Sequence, residues 1–192
     1  MARWEPDARE RLADAALALF REKGYEAVTV TQITERAGLT RASYFRHFAD
    51  KREAVFAGQD LIVDLIHQAI ADAPETAGPR DLLDAALDAV AVAFTPERHA
   101  NAATRQAIID SDPELRERLT AKRAAIADAF TAALLDRGLP APTARVAGQL
   151  GQLAFTTASQ RWAAAPDGTG FSAYARSALD AAVTAAAALA GR

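Results

Sequence analysis

The chain has 192 residues, a formal net charge of −3 and no cysteine. The absence of cysteine excludes a disulfide framework, a zinc–thiolate site and a cysteine nucleophile. The N-terminal stretch carries charges where a signal peptide needs apolar residues, and no run of about 18 apolar residues could span a membrane. We therefore expect a soluble, cytoplasmic protein.

Three short helices are predicted at the N-terminus. The first spans about residues 7–23 and places its apolar residues on one stripe. The Thr-x-x-Gln pattern at 29–32 is a capping box that opens a second helix, and Gly38 ends it. Thr40 then caps a third helix that continues through His47.

The rest of the chain is predicted to form longer helices. Asp50 and Glu53 make a second capping box at the start of a long fourth helix that runs on into the body. Proline and glycine mark the loops and helix starts that follow, at residues 74–79, 95–96, 111–114, 138–142 and 166–170. The last two helices span about 143–164 and 171–189.

The predicted fold is therefore all-α with about nine helices. Evidence for strands is close to nil, because Val-Thr-Val at 28–30 is the only conspicuous β-branched run. We expect an N-terminal helix-turn-helix domain over residues 1–49. A larger helical domain for ligand binding and dimerisation is expected over residues 50–192.

The charge distribution singles out the N-terminal domain. Residues 31–52 contain five basic and two acidic groups, whereas residues 61–192 have a net charge of −3. A basic segment beside an acidic body can bind phosphate and keep the body off the nucleic acid. Random clustering of charge on a solvated face is the alternative.

Residues 29–51 have the plan of a helix-turn-helix, in which two short helices meet at a glycine-centred turn and the second enters the major groove. Small residues near the start of the second helix allow close approach to DNA. Arginine can bond phosphates or guanine edges, and short hydroxyls and helix N-termini can bond phosphate. The candidate DNA contacts are Thr31, Thr40, Arg41, Ser43, Arg46 and Lys51.

The order of motifs in this region resembles the TetR family of bacterial transcriptional regulators. The resemblance covers about residues 8–56 and rests on Gly24-Tyr25, Thr29-Val30-x-x-Ile33, Ala37-Gly38-Leu39-Thr40-Arg41, Phe45-Arg46-His47-Phe48 and Asp50-Lys51-Arg52-Glu53. It implies DNA contacts at Thr31, Arg41, Ser43, Arg46, His47 and Lys51. For His47, a semi-buried orienting role is the alternative.

One position departs from the family pattern. The family commonly has a phosphate-binding tyrosine where this chain has Phe45, and here the tyrosine stands one residue earlier, at Tyr44. A helix turns about 100° per residue, so Tyr44 does not simply replace that contact. We expect Phe45 to serve mainly in packing, and we keep Tyr44 among the candidate DNA contacts with its role open.

Family members dimerise to bind both halves of a near-palindrome, which implies a homodimer through the last two helices. The candidate interface consists of small residues that permit close helix packing and apolar residues that fill the seam: Ala147, Leu150, Gly151, Ala154, Ala158, Leu179 and Val183. Packing of this face inside the monomer is the alternative.

The resemblance also implies an effector pocket in the body. The candidate lining residues are Ile62, Ile66, Leu87, Phe94, Arg105, Gln106, Ile109, Ile126, Phe130, Phe155 and Trp162. The stretch 104–115 and Trp162 resemble a C-terminal type associated with acyl-coenzyme-A-like ligands, which makes Arg105 and Gln106 the polar candidates. Simple core packing is the alternative for each apolar residue.

No catalytic constellation, cofactor motif or metal-ligand cluster is recognisable in the body, and the three histidines lie far apart. We therefore expect no enzyme activity, no cofactor and no metal. The expected function is a dimeric, nucleoid-associated repressor that a small, largely apolar effector releases from a palindromic operator, with the fourth helix as a lever. A DNA-binding regulator without an effector is the first alternative, and a helical enzyme or carrier is a remote one.

Overall fold

A computed structural model describes residues 8–165, 170–189 and 191. Every regular element in these ranges is a helix, which confirms the all-α prediction. A 3-10 turn, Ala91–Ala93, separates the sixth and seventh α-helices. The α-helices are α1 Ala8–Lys23, α2 Val30–Ala37, α3 Arg41–His47, α4 Lys51–Val55, α5 Gln59–Asp72, α6 Pro79–Val90, α7 Pro96–Ser111, α8 Pro113–Asp136, α9 Ala141–Ala164 and α10 Phe171–Leu189.

Side-chain caps begin most of the short helices, as the sequence predicts. Thr29 accepts a hydrogen bond from the Gln32 backbone N–H, and the Gln32 side chain accepts one from the Thr29 N–H. Thr40 caps α3 through the Ser43 N–H, and Thr95 caps α7 through the Arg98 N–H. Because each cap satisfies a donor that the helix itself leaves unpaired, these residues fix where the helices start.

The predicted long fourth helix is wrong, because the structure divides it into α4 and α5. Phe56 ends α4, and Gly58 adopts a left-handed conformation with φ +89° before α5 begins at Gln59. Glycine takes this conformation without the Cβ penalty of other residues, so it allows the chain to leave one helix and start another. The described residues therefore form ten α-helices rather than about nine.

The chain forms two compact units. Described residues 8–58 and 101–119 form one, here called the head unit, and residues 59–100 with 120–191 form the other, here called the body unit. The segment 101–119 thus packs with the N-terminal helices although it lies far along the chain. The predicted boundary after residue 49 stays a prediction. The structural grouping differs from it, because the head unit extends to residue 58 and also includes residues 101–119.

The head unit has its own apolar core. α1 packs against α2, α3 and α4, and its apolar stripe contributes Leu12 and Phe20. Ile108, Ile109 and Leu115 join the same core from the 101–119 segment. The core holds the three N-terminal helices in one fixed arrangement, which is the requirement for a rigid recognition surface.

In the body unit, α9 packs closely against α10, and α6 packs against α5, α9 and α10. Two glycines of α9 allow close approach. A Cβ atom at Gly151 would lie 3.1 Å from the side chains of Leu83 and Phe130. At Gly148 it would lie 3.1 Å from the backbone carbonyl oxygen of Ala127 and would overlap the Thr131 hydroxyl.

The predicted dimer interface stays a prediction, but this packing favours the alternative of packing inside the monomer. The small residues of α9 and Leu179 are buried within the body unit itself. The buried members of the predicted set are Ala147, Gly151, Ala154, Ala158 and Leu179. Leu150 and Val183 are half-buried, and the exposed apolar side chains of α9 are instead Val146 and Leu153.

Among the described residues, no helix combines the length and the apolar character that a membrane-crossing segment needs.

Candidate DNA-binding site

α2 and α3 meet at a turn that is centred on Gly38. Gly38 adopts a left-handed conformation with φ +65°, and its N–H bonds back to the end of α2. The next residue, Leu39, donates its N–H to the Thr34 carbonyl oxygen at 2.9 Å. This pattern closes α2 and redirects the chain within two residues, which produces the helix-turn-helix geometry expected from the sequence.

Two arginines of α1 contact the helix-turn-helix segment, one at the end of α2 and the other just after α3. The Arg11 guanidinium donates a hydrogen bond to the carbonyl oxygen of Ala37 at 2.6 Å, directly before the turn. Arg9 lies over the Phe48 ring, with 5.3 Å between the guanidinium carbon and the ring centroid. These contacts use two basic residues of α1 for positioning of α2 and α3.

Two arginines dominate the exposed face of α3. Arg41 and Arg46 are exposed, and neither has a carboxylate partner among the residues that the structure describes. In contrast, Arg36 pairs with Glu22 at 2.6 Å, and Arg52 pairs with Asp50 and Glu114. The basic cluster of residues 31–52 is therefore reduced by internal ion pairs, and the uncompensated arginine charge is concentrated on α3.

The remaining polar candidates flank this face. Thr31 is half-buried on α2, and its hydroxyl lies 3.4 Å from the Arg41 guanidinium. Thr40 is exposed, and its oxygen is used as the cap of α3 while its hydroxyl proton stays available for an acceptor. His47 is exposed at the end of α3. Its exposure argues against the semi-buried orienting role that the sequence left open.

Tyr44 is not on this surface. Its side chain is fully buried, and its hydroxyl donates a hydrogen bond to the Asp50 carbonyl oxygen at 3.1 Å. Burial, together with the nearby Asp50 charge, raises the pKa of the phenol above its ordinary value. Ser43 is buried as well. Both residues were candidate DNA contacts, and the structure corrects this, because neither side chain is offered to a phosphate.

Phe45 takes the opposite position to the one predicted. It was expected to pack in the core, yet it is 49% exposed and lies on the same face as Arg41. The Arg41 guanidinium carbon is 5.8 Å from its ring centroid. The spacing of four residues between Tyr44 and Phe48, both buried, is the sequence signal that assigns Tyr44 to the core stripe and leaves Phe45 outside it.

Lys51, at the start of α4, is engaged within the head unit. Its ammonium donates a hydrogen bond to the Tyr25 carbonyl oxygen at 2.8 Å and lies 4.1 Å from the centroid of the Tyr25 ring. The ammonium thus anchors the loop after α1 on the N-terminus of α4. An ammonium has three donors, so this geometry is compatible with the predicted phosphate contact and adds a structural role to it.

Ion pairs that the sequence analysis missed connect α4 to α8 inside the head unit. Glu53 accepts hydrogen bonds from the Arg118 guanidinium, and Arg52 donates to Glu114 at 2.8 Å. Each of the two helices supplies one cation and one carboxylate to these pairs. No local pattern could have revealed them, because the partners are more than 60 residues apart in the chain.

Two helix-capping aspartates carry lowered pKa values in the head unit. Hydrogen bonds from the backbone N–H groups of Leu115 and Glu114 hold the pKa of Asp112 below its ordinary 3.8. For Asp50, burial opposes ionisation, but the Glu53 N–H and the Arg52 guanidinium outweigh it, so the pKa is also lowered. Both carboxylates are therefore ionised caps whose charge complements the helix N-terminus.

The lowered pKa values predict acid sensitivity of the head unit. A depressed pKa stabilises the folded state above the unfolded value near 3.8, and this stabilisation is lost as pH falls through the lower folded values. We expect Asp112→Asn to lose less stability than the unaltered protein between about pH 5 and pH 3. Urea unfolding at both pH values measures this, and an equal loss in the two proteins would contradict it.

The predicted pocket residues fall in both units. Ile109 packs in the head core with Ile108 and Leu115, so it is a core residue of the head unit. Arg105 is half-buried and Gln106 is exposed, with its amide bonded to Asp110 on the same helix. The other eight lie in the body unit, where all are buried except the half-buried Phe94: Ile62, Ile66, Leu87, Phe94, Ile126, Phe130, Phe155 and Trp162.

Four aromatic side chains of the body unit contact one another. Phe94 stacks on Phe171 with 3.7 Å between centroids and meets Trp162 edge-on at 5.0 Å. Phe155 lies 5.9 Å from both phenylalanine rings. The His99 imidazole meets the Trp162 ring edge-on, and its Nε2 lies 3.0 Å from the Trp162 carbonyl oxygen. These ring contacts favour core packing, the alternative to a pocket lining, and the pocket itself stays a prediction.

Known proteins share both the helix-turn-helix segment and the fold. Residues 12–57 match the profile "Bacterial regulatory proteins, tetR family". The repressor AcnR of Corynebacterium diphtheriae is 32% identical over 113 residues, which is 57% of this chain and 54% of AcnR. The TcmR regulator of Streptomyces glaucescens is 34% identical over 82 residues, 43% of this chain and 36% of TcmR. The chain thus spans about half or less of these curated relatives.

Solved structures match over nearly the whole chain. The SmeT–triclosan complex superimposes with a TM-score of 0.61 at 22% identity and covers 93% of this chain and 90% of SmeT. Thermus thermophilus FadR in complex with lauroyl-CoA gives 0.52 at 21% identity and covers 91% and 93%. At these identities the likeness establishes the fold.

Fold and site together define an all-helical protein with an N-terminal helix-turn-helix. Residues 12–57 are thus similar to the TetR-family profile, and the curated relatives named above are a transcriptional repressor and a transcriptional regulator.

Proposed function

We propose that this protein is a DNA-binding transcriptional regulator that inserts α3 into the major groove of operator DNA. The observation that carries the proposal is the exposed face of α3, where Arg41 and Arg46 have no carboxylate partner among the described residues. Arginine is the side chain best suited to guanine edges and phosphates. The capped, core-packed head unit presents this face rigidly.

We further propose that the protein acts as a homodimer on a palindromic operator. One helix-turn-helix makes few base contacts, and two copies about 34–36 Å apart meet successive major grooves. The support for the interface is the exposed apolar side chains of Val146 and Leu153, which lie seven residues apart on one face of α9. We therefore propose that Val146 and Leu153, rather than the buried small residues, form the dimer interface.

An effector in the body unit would regulate DNA binding, and we propose that the sign is repression. Curated relatives include named repressors, and fold neighbours were solved with triclosan, which is largely apolar, and with lauroyl-CoA, which carries an apolar acyl chain. The buried apolar residues of the body unit are the proposed lining. The effector must bind the DNA-incompetent state better, because only differential affinity shifts the equilibrium.

The break at Gly58 changes how such a signal would travel. A continuous fourth helix was the expected lever, and α4 is instead a five-residue helix. α7 and α8 each contribute residues to both units, and α8 is tied to α4 by the pairs Glu53–Arg118 and Arg52–Glu114. We propose that these two helices carry the coupling to the start of α4.

A regulator without a small-molecule effector is the second candidate function. The mutual packing of four aromatic rings favours this candidate: Phe94, Phe155, Trp162 and Phe171. Rings that contact one another already have the apolar neighbours that a ligand would otherwise provide. Binding of operator DNA is common to both candidates. The protein would then act at chromosomal DNA, in the nucleoid.

Selection of duplexes from a random pool at moderate salt, followed by footprinting on the DNA upstream of the gene, tests the proposed function. We expect enrichment of a palindrome and protection of the matching upstream site. Enrichment of no sequence, together with uniform binding to all duplexes, would overturn sequence-specific regulation. Addition of triclosan or lauroyl-CoA as probes then separates the two candidates, since only the first predicts release of the operator.

Replacement of Arg41 by alanine is expected to weaken operator binding about tenfold, within the range for loss of one base contact. Sequence selection at one position of each half-site should relax at the same time. Arg36→Ala is the matched control, because Arg36 pairs with Glu22 and should leave the operator affinity close to that of the unaltered protein. Anisotropy titrations with labelled duplexes measure both. Equal losses in the two variants would argue against a special role of Arg41.

Replacement of Lys51 by alanine is expected to weaken binding to all sequences alike. One lost phosphate contact lowers the slope of log affinity against log salt by about one. The variant should also unfold at lower urea concentration, because the contacts with Tyr25 are lost. Salt titrations and urea unfolding separate the two roles. An unchanged slope with reduced stability would assign Lys51 a structural role alone.

A further inference from the structure

Phe45 is the large apolar side chain that the head unit leaves exposed. Of the described residues, the other strongly exposed large apolar side chains all belong to the body unit: Leu61, Val92, Leu135, Val146, Leu153 and Leu189. The other two aromatic residues of this segment, Tyr44 and Phe48, are buried. A half-exposed phenyl ring in the middle of a basic, polar face is therefore available for contact with a partner outside the chain.

The neighbours of Phe45 on α3 define the surface around it. Ala42 lies three residues earlier and Arg41 four residues earlier, so both are adjacent to the ring on the helix surface. Ala42 and Arg46 are exposed, and the Arg41 guanidinium lies over the ring at 5.8 Å. The result is a small apolar strip, Ala42 and Phe45, bordered by two arginines.

This strip fits one feature of duplex DNA. The major groove is lined by hydrogen-bonding base edges, and its apolar group is the C5-methyl of thymine, which alanine and phenylalanine side chains contact in direct readout. A phenylalanine has no hydroxyl and cannot bond a phosphate. We infer that Phe45 is a specificity-determining residue that covers a thymine methyl group in each operator half-site, an inference that rests on the proposed function.

The position of Arg41 over the Phe45 ring limits how far apart the two side chains can contact the DNA. Arg41 and Phe45 are four residues apart, about 6 Å along the helix axis. Base pairs are stacked every 3.4 Å, so the two side chains meet positions that are at most about two base pairs apart. The thymine covered by Phe45 therefore lies within two base pairs of the position where Arg41→Ala relaxes selection.

Deoxyuridine scanning tests the inference. Each thymine of the selected operator is replaced in turn by deoxyuridine, which lacks only the C5-methyl, and affinities are measured by anisotropy. We expect one or two thymines per half-site to cost about fourfold each, the fold-change that corresponds to uncovering one methyl group. Phe45→Ala should bind the unsubstituted operator more weakly by a similar factor. Its affinity should no longer fall when those thymines are replaced by deoxyuridine.

Two further variants complete the design. Val92→Ala shortens an exposed apolar side chain of the body unit and should keep the full deoxyuridine profile. Phe45→Tyr keeps the ring and should keep the sensitive thymines, and it covers the case in which Phe45→Ala does not fold. A profile with no sensitive thymine in the unaltered protein overturns the inference, as does an identical profile in Phe45→Ala, which would place the ring on sugar and phosphate. Failure to select any operator would instead count against the proposed function.

Discussion

Replacement of Tyr44 by alanine is expected to lower the free energy of unfolding of the head unit by about 3–5 kcal/mol, as for other buried aromatic residues truncated to alanine. The ring is fully buried, contacts Phe48 with 5.3 Å between centroids, and bonds the Asp50 carbonyl oxygen. Truncation leaves a cavity under α3 and an acceptor without its donor at the start of α4. Urea unfolding followed by circular dichroism measures the loss.

Tyr44→Phe provides the matched control, because it keeps the ring and removes only the hydroxyl. The expected cost is about 1 kcal/mol, the net worth of one hydrogen bond. Operator affinity at a temperature where both proteins are folded should be nearly unchanged. The opposite pattern, in which Tyr44→Phe keeps its stability and loses DNA affinity, would mean that the hydroxyl reaches a phosphate and that the buried placement is wrong.

The pair Tyr44 and Phe45 also shows where sequence analysis of the site reaches its limit. The segment, the turn and the cationic residues follow from local signals: a left-handed glycine at 38 and hydroxyl caps at Thr29 and Thr40. Which aromatic residue faces outward depends on the rotation of α3 against α1 and α2. That rotation is a property of the assembled core, and a resemblance that fixes spacing alone leaves it open.

Long-range contacts set the second limit. The inclusion of residues 101–119 in the head unit rests on apolar contacts of Ile108, Ile109 and Leu115 and on the α4–α8 ion pairs. Their partners are distant in sequence, so no local pattern indicates them. The break between α4 and α5 could have been predicted from the glycine at position 58. The strong capping box at Asp50 favoured a continuous helix instead.

The small residues of α9 illustrate a third limit, since the same pattern serves packing inside a chain or between chains. Gly148→Ala decides between the two. A Cβ atom there would overlap the Thr131 hydroxyl and would lie 3.1 Å from backbone atoms of Ala127 and Thr131. We expect a loss of about 1–3 kcal/mol in the stability of the body unit, the usual cost of an overpacked core. Thermal and urea unfolding at several protein concentrations measure it.

The origin of that loss can be traced with two further variants. Thr131→Ala combined with Gly148→Ala removes the overlapping hydroxyl and should recover part of the stability, while the backbone contacts at 3.1 Å keep the recovery incomplete. Gly170→Ala, where a Cβ meets no atom within 4 Å, should be nearly neutral. If Gly148 instead lay in a dimer seam, the loss would appear as weaker dimerisation, and the unfolding midpoint would depend more steeply on protein concentration. A loss that is independent of concentration, with partial rescue by Thr131→Ala, places the small-residue face of α9 inside the monomer and leaves Val146 and Leu153 as the apolar surface for a second copy.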